Sequence, residues 1–171
     1  MNYRIKQFYW YITSSWKKID TNLIRMYLNN NEEKLFKKLN NSEQHHCIRV
    51  CNDAIKKVSQ ENININKNKL AKIALLHDVG KTTKYLNVVD KSLIVLLDKF
   101  TKGKLKKYTN IKKIDVYYNH PIKGVKILKS IQNYDKEFLD VIKNHHKKPY
   151  ENMKKEDNIY LKIIRECDNK N

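Results

Sequence analysis

The stretch LAKIALLHDVGK, residues 70–81, combines an apolar helical pattern with a histidine and an aspartate side by side. The imidazole of His77 is predicted to point where the core side chains point, with Asp78 beside it. A buried imidazole or carboxylate needs a partner, because burying either one alone is energetically costly. The prediction rests on four residues with the i, i+3, i+4, i+7 spacing of one helix face: Leu70, Ile73, Ala74 and His77.

The rest of the chain also carries a helical period. With 171 residues, of which 40% are hydrophobic, the chain is long enough for one domain with one core. Only three glycines and two prolines interrupt it, and most segments between asparagine-rich breaks have the spacing of amphipathic helices. We therefore predict an all-α fold with a single domain over residues 1–171. Residues 1–41 form an N-terminal helical extension packed on a core of residues 42–168.

Nine helices are predicted. Asp20 or Thr21 caps the second, and Asn31, with acids at 32 and 33, starts the third. Ser42 caps the fourth, over 42–59, and the remaining five follow at 67–78, 90–102, 121–132, 135–146 and 157–168. Two lysine-rich pieces, 101–113 and 147–157, are interpreted as solvated loops. The first helix rests on the apolar spacing of Ile5, Phe8, Tyr9, Ile12 and Trp16.

Targeting and redox signals are few. The sequence has no run of about 18 apolar residues and no signal-like apolar stretch at its start, so we expect a cytoplasmic protein with no membrane partner. Cys47, Cys51 and Cys167 lack the CxxC spacing of a zinc knuckle. Their odd number favours reduced thiols over a disulfide framework.

The formal charge of +18 has two competing explanations. It would attract nucleotides, nucleic acid or anionic membrane surfaces. Nearly all of the cations are lysines, however, and the many asparagines and isoleucines are what an AT-rich genome would produce. Lysine also lacks the bidentate fork with which arginine reads bases and phosphates. Charge alone therefore does not establish nucleic-acid binding.

Further polar residues are predicted to point into the core. His46 shares a helix face with Val50, Ala54 and Val58, whereas His45 faces water. His120 precedes Pro121, which suits the first position of a helix. In the last two helices His145 follows Phe138 and Ile142, with His146 about 100° around the helix, and Asp168 follows Leu161 and Ile164.

Five apolar faces therefore each end in a histidine or an aspartate. Imidazole nitrogens and carboxylate oxygens are ligands for zinc, manganese or iron. A bridging carboxylate can hold two such ions about 3.5–4 Å apart for hydrolysis. The inward turn of His77 and Asp78 is explained if Asp78 is that bridge.

The motifs resemble those of the HD-domain phosphohydrolases, specifically the HDIG-type subgroup, over residues 42–168. Five motifs carry this resemblance: His46 in HCIRV, His77 and Asp78 in LLHDVGK, His120 in NHPIKGVKIL, the pair His145 and His146, and Asp168 in IRECD.

The resemblance implies an all-α bundle around one or two divalent ions of iron, manganese or zinc. It also implies that a metal-activated water hydrolyses a phosphoester or phosphoanhydride, with Asp78 and Lys81 as catalytic residues. Lys81 would contact the substrate phosphate, or it is a solvated lysine at a helix end. The implied ligands are His46, His77, Asp78 and Asp168 for the first metal, and His120, His145 and His146 with bridging Asp78 for the second.

Departures from the family pattern leave several functions open. The glycine-tyrosine-proline signature of cyclic-di-GMP-cleaving relatives is missing after the histidine pair, and Lys147 replaces an acid often found there. A small nucleotide-like substrate is favoured, with a cyclic dinucleotide or dinucleoside polyphosphate as alternatives. The competing class is a non-catalytic metal-binding module with a basic nucleic-acid-binding surface. No glycine-rich phosphate loop supports a kinase or ATPase.

Overall fold

The computed structural model describes residues 9–10, 13–14, 16–147 and 158–171, and every regular element within these ranges is helical. The predicted all-α class is confirmed. Two 3₁₀ helices, Val79–Thr83 and Lys104–Tyr108, accompany the α-helices. The α-helices that lie entirely within the described ranges are α1 Thr21–Tyr27, α2 Asn30–Phe36, α3 Asn41–Gln60, α4 Lys67–Leu76, α5 Val88–Phe100, α6 Lys112–Ile131, α7 Lys136–Asn144 and α8 Ile159–Lys170.

Two predictions fall partly or wholly outside these residues. Ile5, Phe8 and Ile12 of the predicted first helix are not among the described residues, and neither are residues 148–157 of the second predicted loop. The division of the chain at residue 41 stays a prediction. Within the described ranges, no helix has both the length and the apolar character needed to cross a bilayer.

Helix caps explain where the N-terminal helices begin. Asp20 caps α1 as predicted, since its carboxylate accepts from the Leu23 amide. The cap of α3 is Asn40 rather than the predicted Ser42, because the Asn40 amide oxygen accepts from the Glu43 amide and starts the helix one residue earlier. The cap of α2 is Asn29, which forms a reciprocal capping box with Glu32, so this helix also starts earlier than predicted.

The predicted start of the helix at Pro121 is wrong. Helix α6 begins nine residues earlier, at Lys112, and Pro121 lies inside it, so the predicted loop 101–113 is shorter than expected. Pro121 has no amide hydrogen for the Tyr117 carbonyl. His120 Nδ1 donates to this carbonyl, at 3.1 Å, and so satisfies it. The other predicted boundaries differ by at most two residues.

The main core lies between α3, α4, α7 and α8, with α1 and α2 covering one side. Its completely buried side chains include Phe36 of α2, Ile73 of α4 and Ile142 of α7. The 3₁₀ helix at Val79–Thr83 packs directly on α6. A Cβ atom at Gly80 would lie 1.9 Å from the His120 carbonyl oxygen, so this contact requires glycine and fixes the segment after α4 against α6.

Residues 84–111, which we call the α5 excursion, form a second and smaller unit. Its residues Ile94 and Leu105 form a small core with Ile114 of α6, and Tyr117 and Tyr118 of α6 are partly buried against them. The excursion contains seven lysines and only two acids, Asp90 and Asp98. It therefore combines a small core with a strongly basic surface.

Candidate metal centre

The predicted histidines and aspartates lie together at one end of the main core. Residues 77 and 78 follow α4, residues 145 and 146 follow α7, and the others lie on α3, α6 and α8. The centroids of neighbouring imidazole rings are 4.1–5.6 Å apart. The residues brought together are His46, His77, Asp78, His120, His145, His146 and Asp168.

Asp78 lies between two sets of imidazoles. Its Oδ2 atom is 3.3 Å from His77 Nε2 and 3.6 Å from His46 Nε2. Its Oδ1 atom is 3.3 Å from His120 Nε2 and 3.7 Å from His145 Nε2. Each carboxylate oxygen therefore faces a different set, which is the arrangement a bridging ligand needs.

Asp168 lies on the last turn of α8 and approaches histidines of both sets. Its Oδ1 atom is 3.0 Å from His46 Nε2 and 3.7 Å from His77 Nε2. Its Oδ2 atom is 3.5 Å from Nδ1 of His146, whose side chain is 45% exposed. Three groups of ligand atoms have members within 4.8 Å of one another. They are His46, His77 and Asp168; Asp78, His120, His145 and His146; and Cys47, His77 and Asp78.

Backbone carbonyls fix the tautomer of three of these histidines. A carbonyl oxygen only accepts, so the Nδ1 atom that contacts it must carry the proton, and in the neutral imidazole Nε2 is left with its lone pair. The three bonds run from His77 Nδ1 to Ala74 O at 2.8 Å, from His120 Nδ1 to Val116 O at 3.0 Å, and from His145 Nδ1 to Ile142 O at 2.7 Å.

The surroundings of the Nε2 atoms of these histidines show whether the site suits a metal ion. In the part of the chain that the structure describes, Nε2 of His77, His120 and His145 and Oδ1 of Asp78 are buried without a hydrogen-bond partner. Such atoms are rare in folded proteins, since each one loses its bonds to water. Lone pairs of imidazole and carboxylate facing one space are the donor set of a transition-metal ion, so the residues fit a divalent cation.

The electrostatics of the cluster also favour a cation. Burial lowers the pKa of His120 and His145, which keeps both imidazoles neutral. Although burial opposes ionisation, Lys81 and His77 hold the pKa of Asp78 well below its usual range. Burial likewise opposes protonation of His77, yet the neighbouring Asp78 carboxylate raises the pKa of His77 well above its usual value. The space between His77 and the neighbouring carboxylates therefore favours a positively charged ligand.

Lys81 connects the cluster to a buried acid that the sequence analysis missed. Its Nζ atom lies 2.5 Å from Asp78 Oδ2 and 3.2 Å from Glu43 Oε2, and Glu43 also contacts Lys91. Lys81 is thus mostly buried between two carboxylates rather than solvated. Glu43 precedes His46 by three residues in α3, so an acid on the same helix face was the available signal.

A cavity of about 940 Å³ opens beside the cluster. His46, His146 and Asp168 form part of its wall, and Arg49 stacks on the Trp10 ring with 4.1 Å between guanidinium carbon and ring centroid. Lys147 was expected near the site from the sequence, whereas Arg49 and Lys91 were not. The cations of the wall are Arg49, Lys81, Lys91, Lys106, Lys143 and Lys147.

The remaining histidine and two of the cysteines lie apart from this chemistry, whereas the Cys47 thiol lies within 4.8 Å of ligand atoms of His77 and Asp78. His45 Nε2 is 3.2 Å from the Lys17 carbonyl oxygen and does not join the cluster. All three cysteines are free and buried. Burial raises the pKa of Cys51 to about 12 and that of Cys167 to about 11, so both thiols stay protonated and unreactive.

The family comparison agrees with this geometry. The model of the HD domain matches residues 44–170, a range that contains all seven clustered residues. Neither the comparison with curated proteins nor the comparison with solved structures finds a match. With a family match over most of its length, the chain belongs to the HD-domain superfamily of metal-dependent phosphohydrolases.

Proposed function

We propose that the chain is a phosphohydrolase of the HDIG type, which cleaves a phosphoester or phosphoanhydride of a nucleotide or a similarly small substrate with the help of divalent metal. One observation carries this proposal: four buried polar atoms on three histidines and Asp78 face one space without a partner among the described residues. An enzyme that holds a cation there removes the cost of burying them.

The two faces of Asp78 support a division into two metal positions. His46, His77, Asp78 and Asp168 would hold the first ion, and His120, His145 and His146, with Asp78 as the bridge, would hold the second. Iron, manganese and zinc all suit nitrogen and oxygen ligands. When bound, the ions would lower the pKa of water towards neutrality and attract phosphoryl oxygens.

The protein's own residues bind and orient the substrate. Lys81 holds its charge at the edge of the cluster, where a phosphoryl oxygen can accept a hydrogen bond from it. Glu43 and Asp78 orient that ammonium group from two sides. The cavity falls in the size range of small-molecule sites, and its wall carries more cations than acids. This wall favours an anionic, phosphorylated ligand.

The test compares Asp78→Ala with a control carboxylate, Asp140→Ala, which lies outside the cluster. Both proteins are loaded with manganese or iron, their metal content is measured by elemental analysis, and turnover is followed on mononucleotides, dinucleoside polyphosphates and cyclic dinucleotides. We expect Asp78→Ala to lose both metal and turnover while the control keeps both. Equal turnover by Asp78→Ala would refute the proposal.

The lysine-rich surface supports a second candidate, a non-catalytic metal-binding module that binds RNA or DNA. Such binding would weaken steeply with salt and would not change when metal is removed. Titration of labelled RNA at two salt concentrations, with and without chelator, separates the candidates. Negligible affinity at physiological salt eliminates this one.

A further inference from the structure

Helix α5 carries an apolar face that the described residues do not cover. Its five large apolar side chains on this face are between 40% and 77% exposed. They follow the spacing of a single helix stripe, because a residue three or four positions along lies on the same face. We call this set the α5 stripe: Val89, Leu93, Leu96, Leu97 and Phe100.

The α5 stripe does not line the cavity beside the metal cluster. The other side of α5 turns Ile94 into the small core, and Lys91 and Val95 line the cavity. These residues lie about half a turn around the helix from the middle of the stripe. A ligand on the stripe would therefore leave the cavity accessible.

Exposed lysines cluster at the C-terminal end of the α5 stripe. Both acids of the excursion have partners on α6. Asp90 Oδ1 is 2.6 Å from Lys113 Nζ, and Asp98 accepts a hydrogen bond from the Tyr118 hydroxyl at 2.5 Å. The lysines of the segment are mostly exposed and outnumber these acids. Those that follow the middle of the stripe in the chain and lie outside the cavity wall are Lys99, Lys102, Lys104 and Lys107.

We propose that the α5 stripe and its lysines dock the protein on the surface of an anionic lipid bilayer, in contrast to the absence of a membrane partner that the sequence led us to expect. Helices that lie in the interface of such a bilayer combine an apolar face containing Leu and Phe with lysine around it. Anionic headgroups attract nearby lysines, and acyl chains accept apolar side chains without a preformed groove.

Charge complementarity favours this occupant over a second copy of the chain. Each copy carries a formal charge of +18, and pairing two α5 stripes would bring two lysine-rich excursions together. Exposures of half or more for Leu93, Leu96 and Phe100 also show side chains that project outward, whereas a protein-binding groove would partly enclose them. An anionic bilayer satisfies both the apolar and the charged part of the surface.

The experiment is co-sedimentation of the metal-loaded full chain with vesicles. Phosphatidylcholine vesicles containing about 30% phosphatidylglycerol are compared with pure phosphatidylcholine vesicles. The stripe variant is Leu93→Gln/Leu96→Gln/Phe100→Gln, and the matched control is Met26→Gln, an equally exposed apolar residue on α1. A charge variant replaces Lys99, Lys104 and Lys107 with glutamine. Circular dichroism and metal content verify that each variant is folded.

We expect the wild type and Met26→Gln to bind the anionic vesicles and not the neutral ones. The stripe variant should bind at least about ten-fold more weakly, because it removes three apolar contacts with the acyl chains. The charge variant should also bind more weakly, with a reduced dependence on salt.

Three results would overturn the proposal. The first is no binding of the wild type to anionic vesicles. The second is a stripe variant that binds as well as the wild type, which would leave only non-specific attraction by lysine. The third is a wild-type dimer in analytical ultracentrifugation that the stripe variant dissociates, which would assign the stripe to a second copy of the chain. None of these measurements depends on phosphohydrolase activity.

Discussion

The metal centre and the α5 excursion both leave side chains in an unfavourable environment, but the side chains are of opposite kinds. At the centre, polar atoms are buried without partners among the described residues, as with His120 Nε2 and Asp78 Oδ1. On the excursion, apolar side chains such as Leu96 and Phe100 are exposed to solvent. A buried lone pair and an exposed apolar face both raise the free energy of the isolated chain. We propose that each region binds what it lacks, a cation at the centre and a lipid surface on the excursion.

The two regions also differ in how strongly the fold holds them. The centre lies on the main core, in which α4 and α7 bury Ile73 and Ile142 completely. The excursion relies on a three-residue core around Ile94. Ligands of a metal must be held accurately, whereas a membrane-docking helix needs only an exposed face. We therefore expect substitutions at the centre to have the larger effects.

Gly80→Ala should have the largest effect, more than about 4 kcal/mol of unfolding free energy. Its Cβ atom would lie 1.9 Å from the His120 carbonyl oxygen and 2.7 Å from the Gly124 amide nitrogen, so the backbones must separate. Gly103→Ala is the matched change in the excursion. The added Cβ atom would meet no other atom within 4 Å, but residue 103 has a φ of 83°. The substitution should therefore lower the unfolding free energy by only about 1 kcal/mol. Urea unfolding measures both, and equal losses would contradict the predicted contrast.

Ile163→Ala should lower the unfolding free energy by about 3 kcal/mol, because it opens a cavity where α8 packs on the core. It should also reduce metal content, since α8 carries Asp168. Leu96→Ala removes a similar apolar side chain from the exposed α5 stripe and should change stability by no more than about 0.5 kcal/mol. The two variants are compared by urea unfolding and elemental analysis. A metal content unchanged in Ile163→Ala would show that Asp168 does not depend on this packing.

Metal should stabilise the fold through the centre alone. At a free manganese concentration 100 times the dissociation constant, the unfolding free energy should rise by about 2.7 kcal/mol. Asp78→Ala should lose this gain, while Leu93→Gln/Leu96→Gln/Phe100→Gln should keep it. Thermal unfolding with added manganese or with chelator provides the measurement. A loss of the gain in the stripe variant would mean that the two regions are not independent.

Helical phase was sufficient to predict which way most of the site residues point. His46, His77 and Asp168 each continue an apolar face of a helix, and all three lie in the cluster. These orientations were predictable because they depend only on the period of one helix. The exclusion of His45 followed from the same argument.

Glu43 and the start of α6 could not be found in this way. Glu43 matters because Lys81 and Lys91 reach it from distant parts of the chain, and helical phase contains no such contact. Pro121 normally indicates the start of a helix, but His120 replaces the missing donor with its own ring. Tertiary contacts and side-chain hydrogen bonds to the backbone decided both cases.

Pro121→Ala should have the smallest effect on stability and metal affinity. It tests the part of α6 that connects the excursion with the metal centre. The new amide would donate to the Tyr117 carbonyl and displace one of the two bonds made by His120 Nδ1, so the unfolding free energy should change by less than about 1 kcal/mol. The bond from His120 to the Val116 carbonyl remains, at 3.0 Å. Metal affinity should therefore fall less than about ten-fold, because the ring keeps its tautomer and loses only part of its orientation. Metal titration monitored by calorimetry measures this, with His120→Ala as the reference for complete loss of the ligand. If Pro121→Ala lost as much affinity as His120→Ala, the Tyr117 carbonyl, and not the Val116 carbonyl, would be what holds the imidazole in place.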